Sequence, residues 1–310
     1  MILHYFFILS HGYRGLKTQK TAPRNKKITY IGGKYKKCDY FCDNKTAKIM
    51  KSPHACKHIY GLIGYPLVHS FSRDFFNQKF IAEDIDAQYI NFEIEDISQL
   101  MEIIAEYPNL NGLNVTAPYK EAVIPYLDSL DDDAREIGAV NVIRFIRGPK
   151  NDDFVELRGY NSDVVGFEKT LSGILTPQLT RAMVLGTGGA AKAVSTALRH
   201  NGIDVQLVSR RKSEHTLVYE EITRAMVAEH KLIINATPLG KYPDDHLYPD
   251  FPYRFLTKDH LCYDLIYNPE ETAFMKKSAQ YGAATKNGIE MLLLQAFDSY
   301  KIWTMGDDNL

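Results

Sequence analysis

Cysteine is scarce in this chain and poorly placed for cross-linking: of four, Cys38, Cys42 and Cys56 fall in the first 57 residues, and Cys262 alone lies in the body, within an apolar stretch. A disulfide framework is therefore excluded, and the Cys38-x3-Cys42 spacing lacks the second ligand pair that a zinc site needs, so no metal is expected. Cys262 reads as a buried core residue. Long apolar runs are missing too. Ile2 to Leu9 is far shorter than the ~20 residues that cross a bilayer, and no basic segment precedes it, which argues against both an anchor and a signal peptide. Without staples or a spanning segment, the expected address is cytoplasmic. The body holds no internal repeat and no low-complexity tract.

Net charge is nearly absent at −1 over 310 residues, but it is unevenly spread. Lys and Arg outnumber Asp and Glu by 13 to 2 in residues 1–57 and are outnumbered by 24 to 36 in residues 58–310. The leading segment shows no sustained helix or strand period, and Pro23, Gly32 and Gly33 interrupt whatever could start. Residues 1–57 are expected to be a basic extension, disordered or not native to the protein, with Met50 as an alternative start. A basic arm can meet nucleic acid or an anionic membrane. The blander expectation is a dispensable extension on a protein with a small-molecule substrate and no nucleic-acid or membrane partner, as a monomer or homodimer.

From His58 onward, short apolar runs alternate with longer amphipathic ones, as parallel α/β units do. Strands are predicted at Ile59–Ile63, Gln88–Glu93, Gly112–Val115, Ala139–Phe145 and Val155–Tyr160, with helices at Phe71–Ile81 and Ile97–Tyr107. The polar stretch 147–153 reads as a hairpin-like turn and not as a domain linker. A helix follows Asn161-Ser162-Asp163 to about Leu175. A second set of strands then comes at Ala182–Leu185, Asp204–Ser209, Leu232–Asn235 and Cys262–Leu265. The last helix, Ile289 to about Trp303, is rich in apolar residues and must pack on something.

The strand Arg181–Leu185 runs into Gly186-Thr187-Gly188-Gly189-Ala190-Ala191, and a helical pattern follows from Lys192 to His200. Gly186 suits a tight turn, Gly188 lets a pyrophosphate approach the backbone, and Ala191 lets helix and strand close up. The diphosphate would meet N–H groups at the helix start. The next strand ends in Ser209-Arg210-Arg211, where an NAD site would carry a carboxylate for the ribose hydroxyls. Two guanidiniums there suit a 2′-phosphate and favour NADP over NAD, although a solvated basic loop has the same composition.

A polar constellation precedes this turn. Ser70 and Ser72 follow the first strand and open a helix, where they suit either a ligand at a strand's carboxyl end or a plain helix cap. Thr116 and Lys120 follow another strand, Asn141 interrupts the apolar run Ala139–Ile143, and Asp163 closes Gly159–Asp163. A buried Asn or carboxylate needs partners. An ammonium beside a carboxylate can be a structural ion pair, and it is also how a proton donor and acceptor is built.

Seven ordered motifs carry a resemblance over residues 58–310. They are G-x-P-x-x-H-S-x-S at Gly64 to Ser72, N-V-T-x-P-x-K at Asn114 to Lys120, A-V-N-x-x at Ala139 to Ile143 and N-x-D-x-x-G at Asn161 to Gly166. N-A-T-P-x-G at Asn235 to Gly240, D-x-x-Y-N-P at Asp264 to Pro269 and N-G-x-x-M-L-x-x-Q at Asn287 to Gln295 complete the set. Together they resemble the shikimate dehydrogenase family, which reduces 3-dehydroshikimate with NADPH on the way to chorismate.

The resemblance implies an α/β fold of two domains. A substrate domain with a mostly parallel sheet would take residues 58–160 plus 288–310, a Rossmann-type NADP domain would take 161–287, and the last helix would pack back on the first. It implies catalysis by Lys120 and Asp163, with substrate contacts from these two and from Ser70, Ser72, Thr116, Asn141, Tyr267 and Gln295. It implies cofactor contacts from Gly186, Thr187, Gly188, Gly189, Ala190, Ser209, Arg210, Arg211, Leu265 and Gly288. The chain departs from the family pattern at Arg73, where proline is usual, and at Thr187, Arg211 and Lys241, where Ala, Thr and Met are common. None of these removes a proposed chemical group. A quinate/shikimate paralogue using NAD and a catalytically silent NADP or metabolite sensor on the same scaffold are the alternative readings.

Overall fold

A computed structural model describes residues 52–67, 70–148, 155–177 and 179–306. The expectations for residues 1–51, for Cys38 and Cys42, and for the tip of the 147–153 turn lie outside the described residues. Residues 52–57 are tied to the body: Asn109 Nδ2 donates to the carbonyls of Pro53 (3.2 Å) and Cys56 (2.8 Å), and His54 stacks on Tyr107 at 5.1 Å.

In chain order the first half comprises β1 (His58–Gly64), α1 (Phe71–Ala82), β2 (Ala87–Glu93), α2 (Leu100–Glu106), β3 (Leu110–Val115), α3 (Tyr119–Ala122), β4 (Ser129–Leu130), α4 (Asp132–Ile137), β5 (Val142–Arg147) and β6 (Val155–Tyr160). Its sheet has the order β2-β1-β3-β5-β6-β4. β1 pairs parallel with β2 and β3, whereas β5 runs antiparallel to both β3 and β6. Every residue of β1 is buried, as a central strand covered on both faces requires.

The predicted strand at Ala139–Phe145 starts later, at Val142, so Asn141 lies before the ladder and not inside it. Gly138, at φ +66°, ends α4 and redirects the chain. Val140 N–H then goes to the Lys120 carbonyl at 2.7 Å, and Asn141 leads into the ladder, its N–H donating to the Tyr160 carbonyl of β6 at 3.0 Å and its carbonyl accepting from Val115 N–H of β3 at 2.8 Å.

The second half comprises α5 (Ser162–Leu171), β7 (Arg181–Leu185), α6 (Gly189–His200), β8 (Asp204–Ser209), β9 (Thr216–Val218), α7 (Arg224–Glu229), β10 (Leu232–Asn235), β11 (Leu261–Asp264), α8 (Ala273–Gln280) and β12 (Ala284–Lys286). All its pairings are parallel, in the order β12-β11-β10-β7-β8-β9, the doubly wound Rossmann-type arrangement. The order reverses between β7 and β10, which places a ligand crevice at the carboxyl end of β7, where the glycine turn sits. α5 stops at Leu171 instead of Leu175, because the hydroxyls of Thr170 and Ser172 bond back to the carbonyls of Phe167 and Lys169 ahead of Gly173.

The last helix, α9 (Ile289–Trp303), leaves β12 and returns to the first half, packing on α5, β3 and β5. Close approach is permitted by glycine. A Cβ built on Gly166 of α5 would lie 2.9 Å from Gln295 Cβ, and one on Gly112 of β3 would lie 2.2 Å from the Trp303 ring. Trp303 also donates to the Ile143 carbonyl at 3.2 Å and stacks on Tyr60 at 4.9 Å.

Candidate active site

The turn after β3 carries Lys120 into α3, and the first turn of α5 carries Asp163 toward it. Their side chains meet with Lys120 Nζ 2.5 Å from Asp163 Oδ2. With 19% and 10% side-chain exposure the pair is largely shielded, so the attraction is stronger than in a solvated surface pair. Asp163 benefits from the positive end of α5, whose cap is the side chain of Asn161, accepting from Asp163 N–H at 3.1 Å. Asn161 is held in turn by donating to the Ala139 carbonyl at 2.8 Å.

The other carboxylate oxygen, Oδ1, accepts from Asn141 Nδ2 at 2.9 Å. Asn141 is buried and doubly tied to Ser162, donating to its Oγ at 3.0 Å and accepting from its N–H at 2.7 Å. Ser162 Oγ lies 3.0 Å from Ser299 Oγ and 3.4 Å from Gln295 Oε1, both on α9. Asn114 Nδ2 reaches Ser299 at 3.0 Å, and Tyr89 donates to Asn114 Oδ1 at 2.8 Å. Burial holds the Tyr89 phenol well above its ordinary pKa, an effect that the nearby Ser72 side chain offsets only in part, so it stays a neutral donor. Lys120, Asp163, Asn141 and Gln295 are thus joined through Ser162 and Ser299, with Asn114 and Tyr89 behind them. Of the four residues Ser162, Ser299, Asn114 and Tyr89, only Asn114 stands at a defined position of a sequence motif, at the head of N-V-T-x-P-x-K. The available signal was the spacing of Ser299 four residues after Gln295, on the same helix face.

The glycine turn abuts this cluster. Gly186 sits at φ +119°, and a Cβ there would lie 3.0 Å from the Ala236 carbonyl oxygen. A Cβ on Gly189 would meet the Lys120 stem at 3.1 Å, which puts the start of α6 directly against the ammonium-bearing side chain. Above Gly188 a Cβ would enter open space, and no side chain caps α6 there. The uncapped amides at a helix start and the open space over a glycine fit a diphosphate. Thr187 is exposed and Ala190 half-buried beside it.

Arg210 and Arg211 are exposed at the carboxyl end of β8, one strand over, and Arg211 N–H donates to Ser209 Oγ at 3.3 Å. Gly288 is pressed against Leu265: a Cβ there would lie 2.0 Å from the Leu265 carbonyl oxygen. Leu265 follows the carboxyl end of β11, on the same side of the parallel sheet as the glycine turn after β7.

Ser70 and Tyr267 share a different lining. They border a cavity of about 340 Å³ together with Phe71, Arg73, Asn91 and Asn268. Ser70 does cap α1, its hydroxyl accepting from Arg73 N–H at 3.2 Å, while also facing this cavity. The Tyr267 ring meets Phe71 edge-on at 6.0 Å, and burial raises its pKa. Asn91 Oδ1 is a buried acceptor with no hydrogen-bond partner among the described residues. Thr116 bonds to the end of β1, its N–H donating to the Ile63 carbonyl at 2.9 Å, and its methyl fills the space over Gly64.

The family model for the shikimate dehydrogenase substrate binding domain matches residues 62–143. A shikimate dehydrogenase (NADP(+)) from Desulforamulus reducens is 35% identical over 269 residues, covering 79% of this chain and 89% of its own. Among solved structures, shikimate dehydrogenase from Aquifex aeolicus is 33% identical with a TM-score of 0.69, covering 80% of this chain and 93% of that one. Shikimate 5-dehydrogenase from Thermus thermophilus, solved in complex with NADP(H) and shikimate, is 27% identical with a TM-score of 0.69 and covers 80% and 94%.

Proposed function

Because the chain belongs to the shikimate dehydrogenase family, we propose that it catalyses the reversible NADPH-dependent reduction of 3-dehydroshikimate to shikimate, in the cytoplasm. The observation that supports this most is the Lys120–Asp163 contact at 2.5 Å with the glycine turn packed on the Lys120 stem. The chemistry supplied by the bound nucleotide is hydride transfer to the C3 carbonyl carbon. Lys120 Nζ gives its proton to the carbonyl oxygen as negative charge develops there, and takes it back in the reverse direction. Asp163 holds the ammonium in place and stabilises its charge.

Around that pair, Asn141, Gln295 and Thr116 face the substrate ring, and Ser70, Ser72 and Tyr267 hold its carboxylate end. Gly186, Thr187, Gly188, Gly189 and Ala190 receive the diphosphate, Ser209, Arg210 and Arg211 the 2′-phosphate, and Leu265 and Gly288 line the nicotinamide end. Residues 58–160 plus 288–310 form the substrate domain and 161–287 the nucleotide domain.

Absorbance at 340 nm with shikimate and NADP+ tests this, with quinate and NAD+ run beside them. Lys120→Ala is expected to lower kcat by about 10² to 10⁴ with little change in KM. Near-normal turnover in that variant removes the role given to Lys120, and wild-type protein that binds NADP+ without turning over shikimate removes the assignment.

A further inference from the structure

We propose that Ser162 and Ser299 are positioning residues that fix the Asn141 amide and, through it, aim the Asp163 carboxylate at Lys120. This rests on the proton transfer argued above and adds the two hydroxyls behind it.

Counting donors makes the chain directional. Ser299 Oγ donates to the Gln295 carbonyl one turn earlier on α9, at 2.9 Å. Having used its proton, it accepts from Asn114 Nδ2 and from Ser162 Oγ–H, each at 3.0 Å. Ser162 Oγ–H has three acceptors in reach, Ser299 Oγ at 3.0 Å, Asn141 Oδ1 at 3.3 Å and Gln295 Oε1 at 3.4 Å, of which Ser299 is the nearest, and its lone pair faces Asn141 Nδ2 at 3.0 Å. The second proton of that amide nitrogen goes to Asp163 Oδ1 at 2.9 Å, and the amide oxygen receives Ser162 N–H at 2.7 Å. The reversed amide would turn its oxygen on a carboxylate and its nitrogen on an N–H, so only one orientation satisfies every member.

Ser162 and Ser299 are both fully buried, and water cannot substitute for a missing hydroxyl without a new cavity. Asp163 then has one oxygen on Asn141 and the other on Lys120, which leaves the carboxylate no freedom to rotate away. The last helix therefore reaches the proposed proton donor through three side chains.

Ser162→Ala, Ser162→Thr and Ser299→Ala test this in the full chain, read by kcat, KM, the pH profile of kcat, NADP+ affinity and melting temperature. Each alanine variant is expected to lose about tenfold in kcat, as removal of one buried hydrogen bond implies. KM for shikimate should change less than threefold, and the pH profile of kcat should change. Ser162→Thr keeps the hydroxyl and should recover kcat to within about twofold. A role confined to packing would lower the melting temperature and leave the pH profile of the residual activity in place.

Unchanged kcat and pH profile in Ser162→Ala, or a Ser162→Thr variant as slow as Ser162→Ala, overturns the proposal while wild-type activity leaves the assigned reaction standing. The Ser162 pair decides the matter even if Ser299→Ala does not fold. Wild-type protein inactive on shikimate with NADP+ instead removes the reaction itself.

Discussion

Asp264, fully enclosed at the end of β11, accepts from Asn235 Nδ2 (3.0 Å), Ile266 N–H (3.0 Å) and Thr272 Oγ1–H (2.6 Å). Burial nonetheless outweighs these three bonds and lifts its pKa to about 6 from 3.8. A pKa raised on folding means that the folded state binds the proton more tightly, so this group favours folding below about pH 4 and ceases to as pH rises through 6. The corresponding loss is about 3 kcal/mol. Asn can keep its oxygen facing Asn235 and Ile266, while its nitrogen would donate to the Thr272 hydroxyl and so reverse that bond. Denaturant unfolding of wild type and Asp264→Asn between pH 4 and 7 should show wild type losing ground to the variant across that window; parallel curves would contradict it. The motif containing Asp264 was visible in the sequence, but its cost was not, because burial is a property of the packed sheet. Asn141 is a similar case: the apolar run around it reads as strand, whereas the start of the ladder is delayed by the Gly138 turn and by the bond of Val140 N–H to the Lys120 carbonyl, a partner twenty residues away.

Elements long enough to show a period were legible, and the shortest were not. β8, β10 and α9 fall where alternation and helical spacing put them, whereas β4, β9 and β12, of two or three residues each, are strands only because a neighbour supplies the ladder. The docking surface of α9 was legible as a need and not as a place. That place depends on Gly112, whose missing side chain leaves room for the Trp303 ring. Gly112→Ala should expel the ring, lowering stability by about 1 to 3 kcal/mol as overpacking does. Since Trp303 is the single tryptophan and is buried, its emission should shift to the red in the variant under native conditions. Unchanged emission and stability would show that the β3–α9 contact is looser than described.

At the scale of the whole molecule, the two halves are bridged on one side by α6. Lys192 on α6 reaches Glu121 on α3 at 2.7 Å, and His200 at its other end lies between Glu136 of α4 (3.4 Å) and Glu168 of α5 (3.2 Å). Burial pulls the His200 pKa down, but the hydrogen bonds and charges of the two glutamates prevail and the net shift is upward. The bridge is therefore complete below the usual histidine pKa and weakens as pH rises through the raised value. His200→Ala should lower the melting temperature more at pH 6 than at pH 9, and an equal deficit at both would show that the imidazole acts by packing. A different consequence follows from the return of α9. A nascent chain emerging from the ribosome can finish the nucleotide-side sheet first, although it is encoded second, while the earlier-made sheet waits with an open seam until Trp303 clears the exit tunnel.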